Sequence, residues 1–216
     1  KKIKFRPFLV KEEKILLMAL ETDNEKNIKD AVFELLKACI TTRIKLENLA
    51  SFDLEYIFLN IRAVSVGEII QMNITCRDDE KTQVKYNLNI TEAQVIFPKG
   101  HSNKIMLTDK LGVIMKYPSF DGFVEGQFAQ NKEFDVIKVV AESIDQIFEG
   151  EEVYDESTTN KKEFIQFVES LTNAQLEKIQ AFFETAPRLE HTFKVKNPNT
   201  GVESDYTLRG LQSFFG

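Results

Sequence analysis

The chain has 216 residues, 29% charged and 43% hydrophobic, with a net charge of −6 and a pI near 5.2. That length suits one large domain or two small ones and is enough to bury a core. The acidic balance argues against phosphate-backbone binding, where Lys and Arg supply most of the affinity, and no stretch reaches the roughly 18 apolar residues that span a bilayer.

The opening KKIKFRPFLVKEE lacks the apolar run and small residues of a secretory signal. It begins with Lys rather than Met, from which a trimmed start is expected. Lys1, Lys2, Lys4 and Arg6 form a short basic cluster, read as a solvated terminus rather than a nucleic-acid arm. KEEKILLMAL, residues 11–20, reads as a helix. The next is clearer: Ile28, Ala31, Val32, Leu35, Leu36 and Cys39 recur at helical spacing on one face. Cys39 on that stripe reads as a buried, inert thiol. With Cys76 on a distant segment, the two cysteines suit a reducing, intracellular setting.

LASFDLEYIFLNIRAVSVGE, residues 49–68, is apolar on nearly every side of a helix. Ser51 reads as its N-cap, and Asp53 and Glu55 place negative charge at its favourable end. Such a helix is expected to be a central strut rather than an exposed docking element. After Gly67 the period changes. IIQMNITC and QVKYNLNI alternate as strands around RDDEKT, which predicts a hairpin. EAQVIF and KIMLTD predict a second, and LGVIMKYP closes the β section.

SFDGFVEGQFAQN, residues 119–131, reads as a loop. Helical spacing returns at Phe134, Ile137, Ala141, Ile144 and Phe148, with Gly150 as a stop. EEVYDESTT reads as a polar link. Asn160 with Glu163, and Thr172 with Gln175, are capping pairs opening two further helices, the second ended by Pro187. The tail reads strand, turn at 197–201, strand, then Leu211, Phe214 and Phe215. The expected class is α+β: a helical body with an inserted, mostly antiparallel β section and a C-terminal β-hairpin. The expected parts are 1–68 (helical), 69–118 (inserted β), 119–187 (helical, packing on the first) and 188–216 (hairpin and apolar tail).

Signatures of chemistry are scarce. Phosphate-binding, dinucleotide-binding, nucleophile-elbow and zinc-protease motifs are missing from the sequence. His101 and His191 lack neighbours at ligand spacing and read as solvent-facing imidazoles. The two hairpin turns have the outline of zinc-ribbon knuckles, but CRDD offers only Cys76, and NPNT offers Asn197 and Thr200. Four nitrogen or sulfur ligands cannot be assembled from these, so no metal is expected. Asp78, Asp79 and Glu80, and the run Glu149, Glu151, Glu152, Asp155, Glu156, read as solvated acids. ITCRDDEKTQVKYNLN and KVKNPNTGVESDYTLR share a strand, polar turn, strand plan, for which chance is an equal explanation.

FRPFLVKEEKILLMALE, LASFDLEYIFLNIRAVSVGE, LGVIMKYP and LRGLQSFF, in that order along nearly the whole chain, resemble the baseplate hub assembly protein family of T4-like contractile-tailed phages. The resemblance implies a hub component or assembly factor without enzymatic activity. It implies contacts with other hub proteins, the central spike or the tape-measure protein, and room for oligomerisation within the hub. It implies a place in the host cytoplasm during assembly and in the virion baseplate afterwards. Some members of that family carry CxxC-like pairs in the hairpin turns. This chain departs from them at Asn197, Thr200 and around Cys76, so zinc is not carried over. No catalytic, cofactor or metal residues are assigned. A lead segment that relatives carry also points to trimming.

Eighteen Phe and no Trp is a generous aromatic count, and aromatics gather in interface centres. Phe120, Phe123 and Phe128 of the glycine-rich loop, and Leu211, Phe214 and Phe215 of the tail, are the candidate partner-binding residues. For Phe214 and Phe215, packing back onto the body is an equal reading. Three rivals stand beside the hub reading. One is a non-phage adaptor or chaperone-like protein. Another is an enzyme using carboxylates near Asp78 and Asp79, or Glu151 and Glu152. The last is a nucleic-acid binder.

Overall fold

The computed structural model describes residues 2–22, 25–117 and 136–214, and these fold as α+β. They form six α-helices: α1 Val10–Glu21, α2 Glu25–Cys39, α3 Ser51–Val66, α4 Val136–Glu142, α5 Lys161–Glu169 and α6 Asn173–Glu184. Nine strands accompany them: β1 Ile69–Thr75, β2 Gln83–Asn89, β3 Gln94–Ile96, β4 Lys104–Met106, β5 Leu111–Met115, β6 Ile144–Glu149, β7 Glu152–Asp155, β8 Arg188–Lys196 and β9 Glu203–Arg209. The chain divides into two compact units, Lys1–Ile96 with Arg188–Gly216, and Phe97–Pro187. These boundaries differ from the blocks read in the sequence: β1 to β3 belong with the N-terminal helices and the C-terminal hairpin, while β4 and β5 belong with the later helices.

In the first unit, α2 buries the expected stripe, with Ala31, Val32, Leu35, Leu36 and Cys39 all out of water. α3 buries Phe52, Leu54, Ile57, Phe58, Leu59, Ile61 and Ala63. Its N-cap is Ala50, in an extended conformation, and Ser51 already lies inside the helix with no capping bond. The sequence reading was therefore one residue late. Asp53 in the first turn supplies the favourable negative charge instead. Gly67 ends the helix at φ 123, a conformation that side chains resist.

α3 packs against α2, against β3 and β8, and against the closing 3-10 turn Leu211–Phe214. Leu59 and Ala63 meet Ile74, Leu88, Ile90, Leu189, Phe193 and Phe214 in one buried cluster. Two pieces of sheet carry that cluster. The β1–β2 hairpin pairs Ile69 with Asn89 through Thr75 with Gln83. The other sheet has the order β3–β8–β9. β3 pairs with β8, Gln94 opposite Glu190, and not with β4 as the nearest-neighbour reading expected.

α1 is fastened by Glu12. Its carboxylate accepts from Arg6 Nη2 at 2.7 Å and Nη1 at 3.0 Å, and from the Leu9 backbone N–H at 2.7 Å. The last bond caps the helix N-terminus. Glu12 is nearly buried, and Cys39 Sγ lies 3.9 Å from the same carboxylate.

The second unit is a four-stranded antiparallel meander, β4–β5–β6–β7, with α4, α5 and α6 contributing to its core. Val113, Met115, Ile144 and Ile147 meet Val140, Phe164, Val168, Ile179 and Phe182. Both capping boxes form, Asn160 with Glu163 and Thr172 with Gln175. The helix expected through Phe148 stops at Glu142, and Ile144–Glu149 is a strand. The segment read as a polar link holds β7, the edge strand, which pairs Phe148 with Val153. Gly112 sits where a Cβ would collide with the Phe148 ring and lie 2.8 Å from the Ile105 carbonyl oxygen. That close approach explains glycine inside a central strand.

The Arg6 guanidinium, then the Leu9 N–H, hold Glu12 at a pKa of about 2, against an ordinary value of 4.5 and against the opposing effect of burial. A depressed carboxylate stabilises the fold above its ordinary value, and that contribution is lost as pH falls from about 4.5 towards 2. Glu12→Gln is expected to lower the melting temperature at pH 7. The difference from the parent chain should shrink between pH 4.5 and 2, read by circular dichroism melts across that range.

Candidate interaction surfaces

The residues singled out in the sequence fall in different places. Phe120, Phe123 and Phe128 lie outside the described residues, as does Phe215. Leu211 begins the closing 3-10 turn. Phe214 is fully buried, in the cluster with Leu59 and Leu189, so of the two readings open for it the structure shows the packed one. It is corrected from a docking candidate to a core residue. The four-residue turn Leu211–Phe214 after β9 returns the chain to α3, and the phenylalanine at its end loses all contact with water.

The two hairpin turns of the first unit come together. Each is closed in the same way. The Cys76 N–H donates to the Thr82 carbonyl at 2.8 Å, and Glu80 N–H donates back to the Cys76 carbonyl at 2.9 Å. Asn197 N–H donates to Val202 at 2.8 Å, and Gly201 N–H donates back to Asn197 at 2.9 Å. Glu80 and Gly201 both take positive φ, 54 and 76. The shared hairpin plan in the sequence is thus a shared hydrogen-bonding plan.

Asp78 joins the turns. Its carboxylate accepts from Asn197 Nδ2 at 3.1 Å on both oxygens and from the Thr200 hydroxyl at 2.5 Å. Asn199 Nδ2 reaches Thr82 Oγ1 at 2.9 Å. Tyr206 O–H donates to the Thr75 carbonyl and accepts from the Arg77 N–H, each at 3.0 Å, while the Arg77 guanidinium lies 4.7 Å from its ring centre. Thr200 first, then Asn197, hold Asp78 below the usual carboxylate range. The Thr82 hydroxyl and backbone N–H groups do the same for Asp79. The positions of two CxxC pairs hold Cys76 with Asp79, and Asn197 with Thr200. That donor set does not fit a structural zinc ion, which takes four thiolate or imidazole ligands. No group of three or more metal-binding side chains occurs among the described residues.

The remaining candidates for chemistry are engaged in structure. His101 accepts from or donates to Thr185 Oγ1 at 3.0 Å and Tyr117 OH at 2.9 Å. Thr185 gives its own proton to the Ala181 carbonyl, so His101 Nδ1–H is the donor to it and Nε2 accepts from Tyr117. Phe182 lies against the imidazole, 5.1 Å between ring centres. His191 is also largely covered, with Nε2 3.8 Å from Glu92. Neither histidine is the solvent-facing group expected of it. Asp155 caps its own turn through Ser157, and Glu156 pairs with Lys116. Burial pushes both cysteine thiols up, and neither is in a disulfide.

The surface that sequence reasoning passed over is α1. It turns Glu12 and Ala19 inward and leaves Val10, Ile15, Leu17 and Met18 in water, at 81%, 55%, 53% and 56% exposure, next to Leu9 at 52%. The signal was present in ILLMAL, residues 15–20. A run apolar at every position cannot bury more than one side of a surface helix. Exposed apolar side chains gathered on one helix make α1 the candidate contact surface.

The model of the family described as T4 bacteriophage base plate protein matches residues 1–216. The chain belongs to that family. Among curated proteins and among solved structures, no match is found. For a T4 base plate protein, a network of polar side chains spent on structure and an apolar helix left open make sense together. The family suggests other phage tail proteins as partners and a place in the virion tail. No helix among the described residues is long and apolar enough to cross a membrane.

Phe214→Ala is expected to destabilise the first unit by about 3–5 kcal/mol, the usual cost of emptying a buried phenylalanine site. Urea unfolding followed by circular dichroism checks this. A change below about 1 kcal/mol would return Phe214 to the list of surface residues.

Proposed function

We propose that this base plate protein is a component or assembly factor of the baseplate hub and acts by protein–protein contact, without catalysis. Its partners are other hub proteins, the central spike or the tape-measure protein, met first in the host cytoplasm during assembly. The observation that carries the reading is the open apolar face of α1 in a chain that belongs to a base plate family. Buried interface cores are apolar, and aliphatic and methionine side chains suit them. Phe120, Phe123, Phe128, Leu211 and Phe215 are proposed as further contact residues on the sequence argument alone. Family membership decides against an adaptor unrelated to phages. The acidic charge and the hydrogen-bonded carboxylates disfavour the nucleic-acid and carboxylate-enzyme readings.

Tagged chain recovered from phage-infected cells is expected to bring hub, spike or tape-measure proteins with it in fixed ratio. Leu17→Asp combined with Met18→Asp should abolish that recovery while leaving the melting temperature within a few degrees of the parent. Presence in assembly intermediates but not in purified virions would identify an assembly factor. Recovery of the chain alone from infected cells would overturn the hub reading.

A further inference from the structure

The first unit holds a groove of about 990 Å³ between residues 2–5, residues 42–49 and Asp53, Tyr56, Ile57 and Asn60 of α3. Ile3, Phe5, Ile44, Leu49 and Ile57 supply its apolar lining. Its charged lining residues are Lys2, Arg43 and Lys45 against Asp53 alone, three cations and one carboxylate in a chain whose net charge is −6. Lys2, Arg43 and Lys45 are exposed and make no ion pair among the described residues.

The backbone adds a third feature. Residues 2–6 run antiparallel to 39–42: Arg6 N–H donates to Cys39 O at 2.9 Å, Thr41 N–H donates to Lys4 O at 2.8 Å, and Phe5 bridges Ile40. In an antiparallel pair the amides point alternately inward and outward. The groups of Lys4 and Arg6 are used inward. Those of Ile3 and Phe5 turn outward, and they have no partner among the described residues. Ile3 and Phe5 therefore offer an open strand edge beside an apolar floor.

We propose that this groove docks an extended segment of another baseplate chain, with apolar residues at alternate positions and carboxylates between and beside them. An added strand satisfies the outward amides of Ile3 and Phe5. Its alternate side chains lie over Ile44, Leu49 and Ile57, and its carboxylates meet Lys2, Arg43 and Lys45. A free edge needs covering or charged guards, and the lysines are the guards while the edge is empty. Lys2, from the basic cluster at the start of the sequence, becomes part of a protein-binding rim. A phosphate backbone would meet an apolar floor and Asp53, which favours a peptide. The inference rests on the chain being a base plate protein with protein partners.

The test uses the full chain and two fluorescent synthetic peptides. One alternates Phe or Val with Glu or Asp, and the other has Lys in place of every acid. The acidic peptide is expected to bind, to weaken as salt rises, and to protect the Ile3 and Phe5 amides from hydrogen exchange. Arg43→Glu with Lys45→Glu should weaken it roughly tenfold or more, in line with reversed rim charges, at an unchanged melting temperature. Loss of protection at Ile3 and Phe5, equal binding of the lysine peptide, or indifference to the double variant would overturn the proposal. Tighter binding of a single-stranded oligonucleotide at the same residues would overturn it in favour of nucleic acid. These readouts address the groove itself, so they fail separately from the co-purification that tests the hub role.

Discussion

A helix that is apolar on nearly every side has to be covered on nearly every side, and much of the first unit follows from that demand on α3. No neighbour in sequence can do it alone. α2 covers one face, the β3–β8 pair another, and the turn after β9 delivers Phe214 to a third. These coverings come from both ends of the chain, which is why the first unit is discontinuous and the second is an insertion between Ile96 and Arg188. A fully buried phenylalanine near the end of the described chain is the price of closing the cluster around Leu59.

The same closure explains the polar contacts between the hairpin turns. Two strand pairs that share the cluster under α3 must also be held at their far ends. Tyr86 stacks on Phe193 with ring centres 4.3 Å apart, along the body of the hairpins. Beyond that, side chains are short and polar, and burial alone offers little. Asp78, Asn197 and Thr200 bridge the gap with charge-assisted bonds, which are stronger than neutral ones. A metal would hold such turns by coordination. Here the amide and hydroxyl donors match a carboxylate acceptor, and each turn is also closed by its own backbone.

Legibility in the sequence followed the range of the interactions. Local rules worked where structure is local: the α2 stripe, both capping boxes, the first hairpin and the last. They failed where a distant partner or an irregularity decided the outcome. β3 looks like half of a hairpin with β4, yet its partner β8 lies far along the chain. β6 was read as helix for a specific reason. Its pairing with β5 shifts between Ile114 and Met115, so Met115 faces Ile144 and Ile114 faces Gln146. The unopposed Asp145 breaks the period of two. Buried Ile144 and Ile147, with Phe148 half-buried, then stand three and four apart, which is a helical spacing. β7 carried little signal because it is an edge strand with Val153 and Tyr154 half in water. The site candidates fared similarly: a terminal Phe pair shows that aromatic side chains need burial somewhere, but only the path of the chain shows where Phe214 finds it.

The covering of α3 is incomplete in one place. Asp53, Tyr56, Asn60 and Val64 recur three and four residues apart and form one line along α3, on which Asp53, Tyr56 and Val64 are exposed and Asn60 is half-buried. Tyr56 and Val64 keep 41% and 55% of their surface in water. The cost of an exposed line on an otherwise buried helix is easily avoided by polar residues, as at Asn60. That Tyr56 and Val64 stand there, with the cationic groove laid against Asp53, Tyr56 and Asn60, separates this line from the rest of the helix. The apolar excess on the buried faces answers to the core. On the open line it has no core to answer to, and Tyr56 lies beside the open strand edge and Lys2, Arg43 and Lys45. Buried strut and exposed apolar line are thus two sides of the same helix.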